Sequence, residues 1–426
     1  MPRFRPAGPL WSHRGFIRLW TGDTISQFGT QISYLAMPLV AVKTLHATTF
    51  EVGLLTTFET LAFLLVGLPA GAWCDRMRRR PVLVAGDLGR AVALLSIPVA
   101  AAMHDLTMTQ MYVVVLITGV LTVFFDVSYQ SYLPVLVGRE HVVEGNGKLQ
   151  ASQSVSQVAG PSVGGFLVQA LTAPYAVLVD ALSFVWSASW IFAIRNPEPE
   201  PHRPPQRHLG KEIAEGLRFV LHQPILRKVA GCTGSFNLAT SAEGAVVVLF
   251  LVRDLHLSAA TIGVLFSLGS LGGILGAVTV ASVTRRVGQA RMIWLSTTVT
   301  APFALLIPLT YNGWRLGLFA IGTFVVSVGI IYYNVAQVSF RQALTPNRLL
   351  GRMNATMRFL VWGTMPLGGL LGGILGTAFG LRPTLWVAAI AQLLACLWVV
   401  CSPLLRLRDL PATDAEGAPV TEPAPA

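Results

Sequence analysis

The sequence predicts an all-α integral membrane protein with twelve transmembrane helices in two pseudo-symmetric halves of six. Three observations support this fold class: a shortage of charge, apolar segments of membrane-spanning length, and an internal repeat. Charged residues make up 12% of the 426 residues and apolar residues make up 53%, whereas a soluble domain carries about 25% charged residues. A chain with so few charged residues cannot cover the surface of a soluble globular protein of this size with polar groups. The composition therefore excludes a soluble globular protein.

Apolar segments recur along the whole chain and are separated by short polar connections. A helix of about 20 residues crosses the hydrocarbon core of a bilayer, so each segment is long enough for one span. The predicted spans are residues 15–42, 52–74, 82–103, 109–133, 146–171, 175–194, 226–251, 259–283, 291–310, 315–340, 354–379 and 383–402.

Positive charge is distributed unevenly between the two sets of connections. The chain carries 31 Lys and Arg and a net charge of +11. Most of these residues fall at the N-terminus, in the even-to-odd connections or at the C-terminus, which predicts that both termini are cytoplasmic. The charge then reflects topology and contact with anionic lipid, and no nucleic-acid partner is expected. The exceptions are Lys43, Arg253, Arg315 and Arg382 in odd-to-even connections and Arg90 and Arg358 within spans.

Motifs of signal peptides, metal sites, nucleotide-binding loops and enzymes are missing from the sequence. The first span carries Asp23 and Gln27 and has no small-residue cleavage site, so no cleavable signal is expected. The four cysteines have no metal-ligand spacing, and neither a metal nor another cofactor is predicted. The run 145–149 lacks the residues that flank a phosphate-binding loop. No catalytic constellation is visible, so the chain is predicted not to be an enzyme.

The chain divides into a six-helix half at residues 1–194, a second half at residues 226–408, and a polar connection between them. Residues 195–225 begin with a proline-rich run typical of a cytoplasmic linker. Apolar residues at helical spacing then predict a short amphipathic helix on the inner membrane surface. Residues 409–426 are rich in Pro, Ala and acid, and we expect a disordered cytoplasmic tail. A shift of about 208 residues aligns glycines of the fifth and eleventh spans, a repeat typical of alternating-access transporters.

A dense run of charge lies between the second and third spans. Gly71, Asp75, Arg76 and Arg79 occupy the pattern Gly-x-x-x-Asp-Arg-x-x-Arg-Arg, which resembles the signature loop of the major facilitator superfamily of secondary transporters. Arg78 stands where that family usually has a second glycine. The resemblance implies a cytoplasmic gating loop in which Asp75 contacts the N-terminus of a helix from the other half. The alternative is an ordinary positively charged loop of a membrane protein.

The fifth span contains a glycine- and proline-rich motif. Gly160, Pro161, Gly164 and Gly165 match the pattern Gly-Pro-x-x-Gly-Gly, which resembles a motif of exporters in the same superfamily that exchange substrate for protons. Pro161 removes one backbone hydrogen bond, and the glycines allow a bend and close helix contact. Ordinary small-residue packing is the alternative, because glycines four apart also occur in the eighth and eleventh spans.

Longer stretches resemble the bacterial branch that holds macrolide-type and siderophore exporters. The resemblance implies a secondary active transporter of the bacterial cell membrane that exports a small amphipathic compound, such as a drug, antibiotic or siderophore, in exchange for protons. Twelve helices can enclose a cavity without a partner, so a monomer is expected. Many proton-coupled relatives carry an arginine in the fourth span; here it is absent, and Arg90 in the third span is the candidate to replace it. The resembling stretches are residues 19–20, 26–29, 125–134, 216–220 and 222–224.

Charged residues inside spans cost about 2.5 to 3.5 kcal/mol each on insertion scales and are functional candidates. Acids held away from bulk water are typical of proton relays. Asp87 and Arg90 lie three residues apart and are expected to neutralise each other. Asp180 and Arg358 lie near span ends and are expected to reach the interface. The predicted proton carriers are Asp23, Asp126, Glu243 and Glu59.

Polar faces appear on the first, fourth, seventh and tenth spans, the helices that line the central cavity in the superfamily that the chain resembles. A polar stripe in lipid must face protein or water. Aromatic residues on these faces predict a roomy cavity for an amphipathic compound, although ordinary helix packing uses the same residues. The predicted cavity residues are Gln27, Gln31, Tyr34, Phe125, Tyr129, Phe236, Asn237, Tyr333 and Asn334.

Two other functions are compatible with this sequence. A facilitator or importer of a small solute would keep the fold and the signature loop without dependence on a pH gradient. A transport-inactive receptor or scaffold would keep the fold without exchanging protons.

Overall fold

The computed structural model describes residues 9–74, 76–196, 198, 209–346 and 349–409, and within these residues it contains helices and no β-strand. The predicted gating residue Asp75 lies outside the described residues, as do the central part of the predicted linker and the predicted tail beyond residue 409. The backbone of Gly71 is described and its surroundings are not.

Fifteen α-helices are described, and each predicted span coincides with one helix, or with two consecutive helices, to within about one turn. The predicted all-helical membrane fold is therefore confirmed. The first six helices are α1 (Arg14–Leu39), α2 (Thr49–Cys74), α3 (Arg79–Ala102), α4 (Met108–Val137), α5 (Val142–Leu171) and α6 (Ala173–Phe192). The others are α7 (Leu209–His222), α8 (Pro224–Leu249), α9 (Ala259–Val287), α10 (Gln289–Thr300), α11 (Leu316–Ala343), α12 (Leu350–Trp362), α13 (Thr364–Phe379), α14 (Leu381–Ala395) and α15 (Leu397–Val400).

Nine helical segments within the described residues are long and apolar enough to cross a membrane. The remaining predicted spans are α1, α5 and α10 with its 3₁₀ continuation Ala301–Leu306. α10 has only 12 residues and is too short to cross a membrane alone. α1 and α5 are long enough to cross, but their many amide, hydroxyl and charged side chains make them less apolar than the other spans. A helix that polar is stable in a bilayer only when its polar face is covered by protein or lines water.

The chain folds into two compact units, and each has its own set of internal contacts. Unit 1 comprises residues 1–204 and 247–267, and unit 2 comprises residues 205–246 and 268–426. The segment 247–267 holds the end of α8 and the start of α9. The predicted second half, residues 226–408, includes this segment, whereas the structure groups it with unit 1. The boundaries of the predicted halves stay predictions.

The core of unit 1 lies where α1, α3, α4 and α6 meet. Phe16, Leu19, Leu83, Tyr132 and Ile191 belong to one buried cluster, and each is at most 2% exposed. These residues come from four helices that are far apart in sequence, so burial of their apolar surface fixes how the helices pack.

Two glycines allow α1 to approach α6 closely. A Cβ atom added at Gly22 would come within 3.3 Å of the Ser187 backbone, and one at Gly29 would come within 2.8 Å of the Ser183 Cβ. Small residues on a helix face let two backbones pack closely inside a membrane protein. The polar residues on the facing side of α6 are therefore held in the core of unit 1.

Two connections in unit 1 repeat the same backbone conformation. A π-helical turn, Val40–Thr44, ends α1, and another, Phe250–Asp254, ends α8. Each is followed by a histidine with positive φ, His46 at 50° and His256 at 52°, a conformation that histidine adopts more readily than most residues. The second connection is tied to the first, because Arg253 donates a hydrogen bond of 2.5 Å to the carbonyl of Ala47.

Unit 2 has its own core around α10, α11 and α12. Ile293, Phe340, Met353 and Val399 are fully buried in one cluster. α7 lies within the predicted linker region 195–225 and packs on α12, and its predicted place on the inner membrane surface stays a prediction. Glu215 of α7 forms an ion pair with Arg352 of α12.

Candidate functional site

Unit 1 contains a polar cavity of about 450 Å³ between α1, α4 and α5. Its walls carry one carboxylate, four side-chain amides and one phenol. The lining residues are Asp23, Gln27, Tyr129, Asn146, Gly147, Leu149, Gln150 and Gln153. A concave site with a few convergent polar groups is the usual form of a small-molecule binding site.

Asp23 is the charged group of this cavity. It lies on the inward side of α1, is 4% exposed, and sits beside Gln27 of the same helix and Tyr129 of α4. Sequence spacing predicted these three residues on polar faces of the first and fourth spans, and the structure brings them to the same cavity wall. The Phe125 ring stacks on the Tyr129 ring with 5.7 Å between centroids, so Phe125 supports the wall from within the core.

The amide groups of α5 were missed by the sequence analysis. Asn146, Gln150 and Gln153 line the cavity, and their spacing of four and three residues places them on one helical face. That periodicity in the fifth span was the signal available in the sequence. Together with Gln27, these residues give the cavity both hydrogen-bond donors and acceptors.

A buried charged cluster in unit 1 consists of Asp87 and Arg90 of α3 and Asp180 of α6, which interacts electrostatically with the other two. Arg90 Nη2 is 2.5 Å from Asp87 Oδ1, which confirms the predicted neutralisation of this pair. Asp87 is fully buried, Arg90 is 6% exposed and Asp180 is 2% exposed. The prediction that Asp180 reaches the interface is wrong, because the close approach of α1 covers this part of α6.

Arg90 belongs to α3, but its guanidinium lies against α4 and α6. Nη1 donates a hydrogen bond of 3.4 Å to Thr122 Oγ1. The guanidinium carbon lies 4.4 Å from the Phe125 ring centroid and 4.2 Å from that of Phe184. Cation–π contacts on two sides fix the plane of the guanidinium. The Arg90 guanidinium therefore lies beside the fourth span, and its role as a replacement for the arginine missing from that span stays a prediction.

A second acidic position lies in unit 2. Gln392 of α14 donates a hydrogen bond of 2.5 Å to the Glu243 carboxylate of α8. Gln392 is 2% exposed, and the sequence analysis missed it because it is far from Glu243 along the chain. About two turns earlier on α8, Asn237 donates to the Val361 carbonyl at 3.1 Å, and Phe236 is half-buried.

The remaining predicted cavity and proton-carrying residues lie at several different places outside the cavity lining. Tyr333 is buried in the core of unit 2, with its hydroxyl 2.7 Å from Thr233 Oγ1. Gln31 packs on Gly160 of α5. The residues that lie at the surface of their own units are Tyr34, Glu59, Asp126 and Asn334.

The glycine–proline motif of α5 lies against α9 within unit 1. The Pro161 carbonyl occupies the position of a Cβ at Gly263, and the Ala259 carbonyl does the same at Gly165. Ser162 Oγ and Ser267 Oγ are hydrogen-bonded at 2.8 Å. The motif therefore forms a tight helix contact, with Gly160 and Gly164 facing α1 on the other side.

The described part of the signature loop binds the connection that follows α6. Arg79 N donates a hydrogen bond of 2.5 Å to Glu198 Oε1, and the Arg79 guanidinium lies 3.7 Å from the same oxygen. Arg76 is exposed. Arg80 donates to the carbonyls of Ile191 and Phe192 at the end of α6, where a cation is favoured by the helix dipole.

Among the described residues, no group of three or more His, Cys, Asp or Glu side chains is arranged to hold a metal ion. The chemistry available at the polar cavity and the buried acids is hydrogen bonding, charge pairing and proton binding. These are the means by which secondary transporters bind substrates and coupling ions.

Solved structures with the same fold are membrane transporters. A bacterial homologue of the iron transporter ferroportin matches with a TM-score of 0.73 and 17% identity over 91% of this chain and 98% of its own. The nucleoside transporter NupG matches with a TM-score of 0.77 and 10% identity over 91% of this chain and 99% of its own. These similarities show that the chain shares the fold of these multi-pass membrane proteins.

The chain belongs to the transmembrane secretion effector family, which it matches over residues 6–424. It is similar to the multidrug efflux pump Tap of Mycolicibacterium fortuitum, with 28% identity over 90% of this chain and 94% of Tap. It is also similar to the enterobactin exporter EntS of Citrobacter koseri, with 24% identity over 81% of each chain. The predicted superfamily and exporter branch are confirmed.

Proposed function

We propose that this protein exports a small amphipathic compound, a drug or a siderophore, across the bacterial cell membrane in exchange for protons. The observation that carries the proposal is the cavity of about 450 Å³ in unit 1, where a buried acid lies beside four amides. The names of the two relatives, a multidrug efflux pump and an enterobactin exporter, support the direction and the class of substrate.

The lining of the cavity supports a substrate with several hydrogen-bonding groups. Asn146, Gln150 and Gln153 present amide donors and acceptors from α5, and Gln27 adds a fourth from α1. Burying such groups is favourable only if the substrate satisfies their hydrogen bonds. An amphipathic compound with hydroxyl, amide or amine groups fits this requirement, and Asp23 adds a site for a positive charge.

Proton coupling is assigned to the intramembrane acids. Asp23 lines the cavity, so a proton and a cationic or hydrogen-bonding substrate compete for the same carboxylate. Such competition is sufficient for antiport, because binding of one ligand weakens binding of the other. Glu243 provides an equivalent group in unit 2, and Asp126 and Glu59 remain proposed carriers at the surface of unit 1.

Efflux from cells that express the protein tests the proposal. A panel of antibiotics and siderophores is loaded, and efflux is followed with and without a protonophore. We expect efflux of at least one compound that the protonophore abolishes. We expect Asp23→Asn to lose this gradient-driven efflux and the exposed loop variant Asp105→Asn to retain it. Protonophore-resistant efflux would instead identify a facilitator, and binding without efflux would identify a receptor.

The signature loop is proposed as a cytoplasmic gate, with both termini on the same side of the membrane. Arg79 and Glu198 support this proposal, because they join the loop to the connection after α6. Asp75→Asn is expected to abolish or uncouple efflux at normal expression. Labelling of single cysteines introduced near residues 12 and 409 with an impermeant reagent in intact cells is expected to fail, whereas a cysteine at position 105 is expected to react.

A further inference from the structure

The buried charged cluster of unit 1 contains more acid than base. Asp87 and Asp180 supply two carboxyl groups, and Arg90 supplies one guanidinium. All three side chains are at least nine-tenths buried, so water does not compensate the excess charge. A buried ion without a partner neutralises by binding a proton instead.

The partners of the two acids differ. Asp87 Oδ1 forms the 2.5 Å ion pair with Arg90, and the Ser187 hydroxyl of α6 faces the same carboxylate. Asp180 is held by hydroxyl groups: Ser183 Oγ lies 3.2 Å from Asp180 Oδ1, and Ser33 of α1 faces the same carboxyl. A carboxylate gains most from a guanidinium, whereas hydroxyls can serve a neutral acid as donor or acceptor.

Hydrogen-bonding capacity is left open in the centre of the cluster. Arg90 Nε is buried and has no hydrogen-bond partner in the described part of the chain, and the Asp87 Oδ2 atom is buried with only the Ser187 hydroxyl nearby. Such groups are uncommon in a packed core. They leave an acceptor on Asp87 and a donor on Arg90 available for a change of partner.

We propose that Asp87, Arg90 and Asp180 form a buried proton-binding site, in which the proton resides on Asp180 while Asp87 pairs with Arg90. Its use in transport rests on the proposed proton-coupled function. When the guanidinium shifts its pairing to Asp180, the O–H bond of Asp180 breaks, an O–H bond forms on Asp87, and the total charge is unchanged. The proton thereby moves from α6 to α3.

The cluster is connected to the cavity by charge and by packing. Asp87 interacts electrostatically with both Asp23 of the cavity and Asp180 of the cluster. The Phe125 ring lies under the Arg90 guanidinium and stacks on Tyr129 of the cavity wall. A substrate that displaces Tyr129 therefore shifts Phe125 and with it the Arg90 guanidinium, whose pairing determines which acid carries the proton.

Other charged or titratable groups facing this region come from α1 and α4. Asp23 lies on α1, and Tyr129 and Asp126 lie on α4, with both acids interacting electrostatically with Tyr129. Within the described residues, these groups add negative charge or a neutral phenol and no cation.

Infrared spectroscopy of the purified full-length protein at neutral pH tests the site through the carbonyl band of protonated carboxyl groups. Difference spectra are taken between wild type and Asp180→Asn, Asp87→Asn and Arg90→Gln, with Asp105→Asn as the exposed control. We expect Asp180→Asn to remove one protonated carboxyl. Asp87→Asn should also remove one, because Arg90 then pairs with Asp180 and ionises it. Arg90→Gln should add one, and Asp105→Asn should change nothing.

Asp180→Asn and Asp87→Asn each leave a cluster with no net charge, so both variants are expected to fold. They test the proton site even if Arg90→Gln fails to fold. An unchanged band in Asp180→Asn would overturn the proton site. If the band is lost in Asp180→Asn but retained in Asp87→Asn, the proposal that Arg90 can pair with either acid is wrong. Neither result depends on transport: protonophore-resistant efflux by wild type would remove the proposed function and leave the spectra unaffected.

Discussion

The backbone N–H of Arg79 donates a hydrogen bond of 2.5 Å to the carboxylate of Glu198, and the N–H of Arg80 donates to its other oxygen at 3.3 Å. Glu198 therefore caps the first turn of α3 from 119 residues away. Helix N-termini have unsatisfied N–H groups and a favourable interaction with negative charge. The connection after α6 is thus part of the structure that holds the charged loop in place.

Glu198→Ala is expected to lower the stability of the protein. Loss of a helix cap costs about 1 kcal/mol, and loss of the charge adds a similar amount near a helix N-terminus. Thermal unfolding in detergent is expected to show a lower midpoint, with Glu198→Gln intermediate because it keeps one acceptor oxygen. Glu140→Ala, at an exposed position, serves as the control, and equal midpoints for both alanine variants would contradict the capping role.

Gly263→Ala is expected to disrupt the contact between α5 and α9. The added methyl group would occupy the space of the Pro161 carbonyl, and backbone atoms cannot move aside without shifting a helix. Overpacking of this kind typically costs about 1 to 3 kcal/mol. Efflux and thermal stability should both fall. Gly273→Ala is the matched control on the same helix, since no heavy atom lies within 4 Å of its Cβ position; similar losses in both variants would refute the argument.

Gln392→Leu is expected to impair gradient-driven efflux without preventing folding. The substitution keeps the buried volume but removes the donor that lies 2.5 Å from the Glu243 carboxylate. A hydrogen bond to a charged group contributes about 1.5 to 3 kcal/mol, so the protonation equilibrium of Glu243 changes. Proton-driven uptake into inverted vesicles is the measurement. Glu243→Gln should abolish driven transport and keep exchange down a gradient; wild-type rates in both variants would exclude Glu243 as a proton carrier.

Gln150→Leu and Gln153→Leu are each expected to weaken substrate binding. Each removes one amide from the cavity wall, and loss of one hydrogen bond costs about 1 kcal/mol, which corresponds to roughly a fivefold rise in Kd. Binding to the purified protein is measured by fluorescence or calorimetry with the exported compound. Gln157→Leu is the control on the same helix, because Gln157 lies outside this cavity lining. An equal effect of all three substitutions would contradict a specific role of the cavity.

The helices and their sequence positions could be predicted because membrane spans obey local rules. Span length, hydropathy and the placement of positive charge are read within a window of about 20 residues. The Asp87 and Arg90 pair was predicted for the same reason, since residues three apart meet on one helix.

The surroundings of the acids could not be predicted in the same way. Asp180 lies within two turns of where α6 starts, and only the contact with Gly29 of α1 shows that it is buried. Gln392 contacts Glu243 from a helix 149 residues away. Such contacts depend on the rotation of each helix about its axis and on which small residues allow close approach.

By itself the sequence determined that the protein resides in a membrane, where its helices lie, and which superfamily it belongs to. These properties follow from the free energy of transferring individual segments into a bilayer and from motifs that are contiguous in the chain. Only the tertiary structure decided that Asp23 lines a cavity with the amides of α5. It also decided that Asp87, Arg90 and Asp180 are buried together, and that Tyr333 packs in the core of unit 2. Those outcomes are set by packing between distant helices, because close-packed side chains allow few arrangements that bury every polar group with a partner.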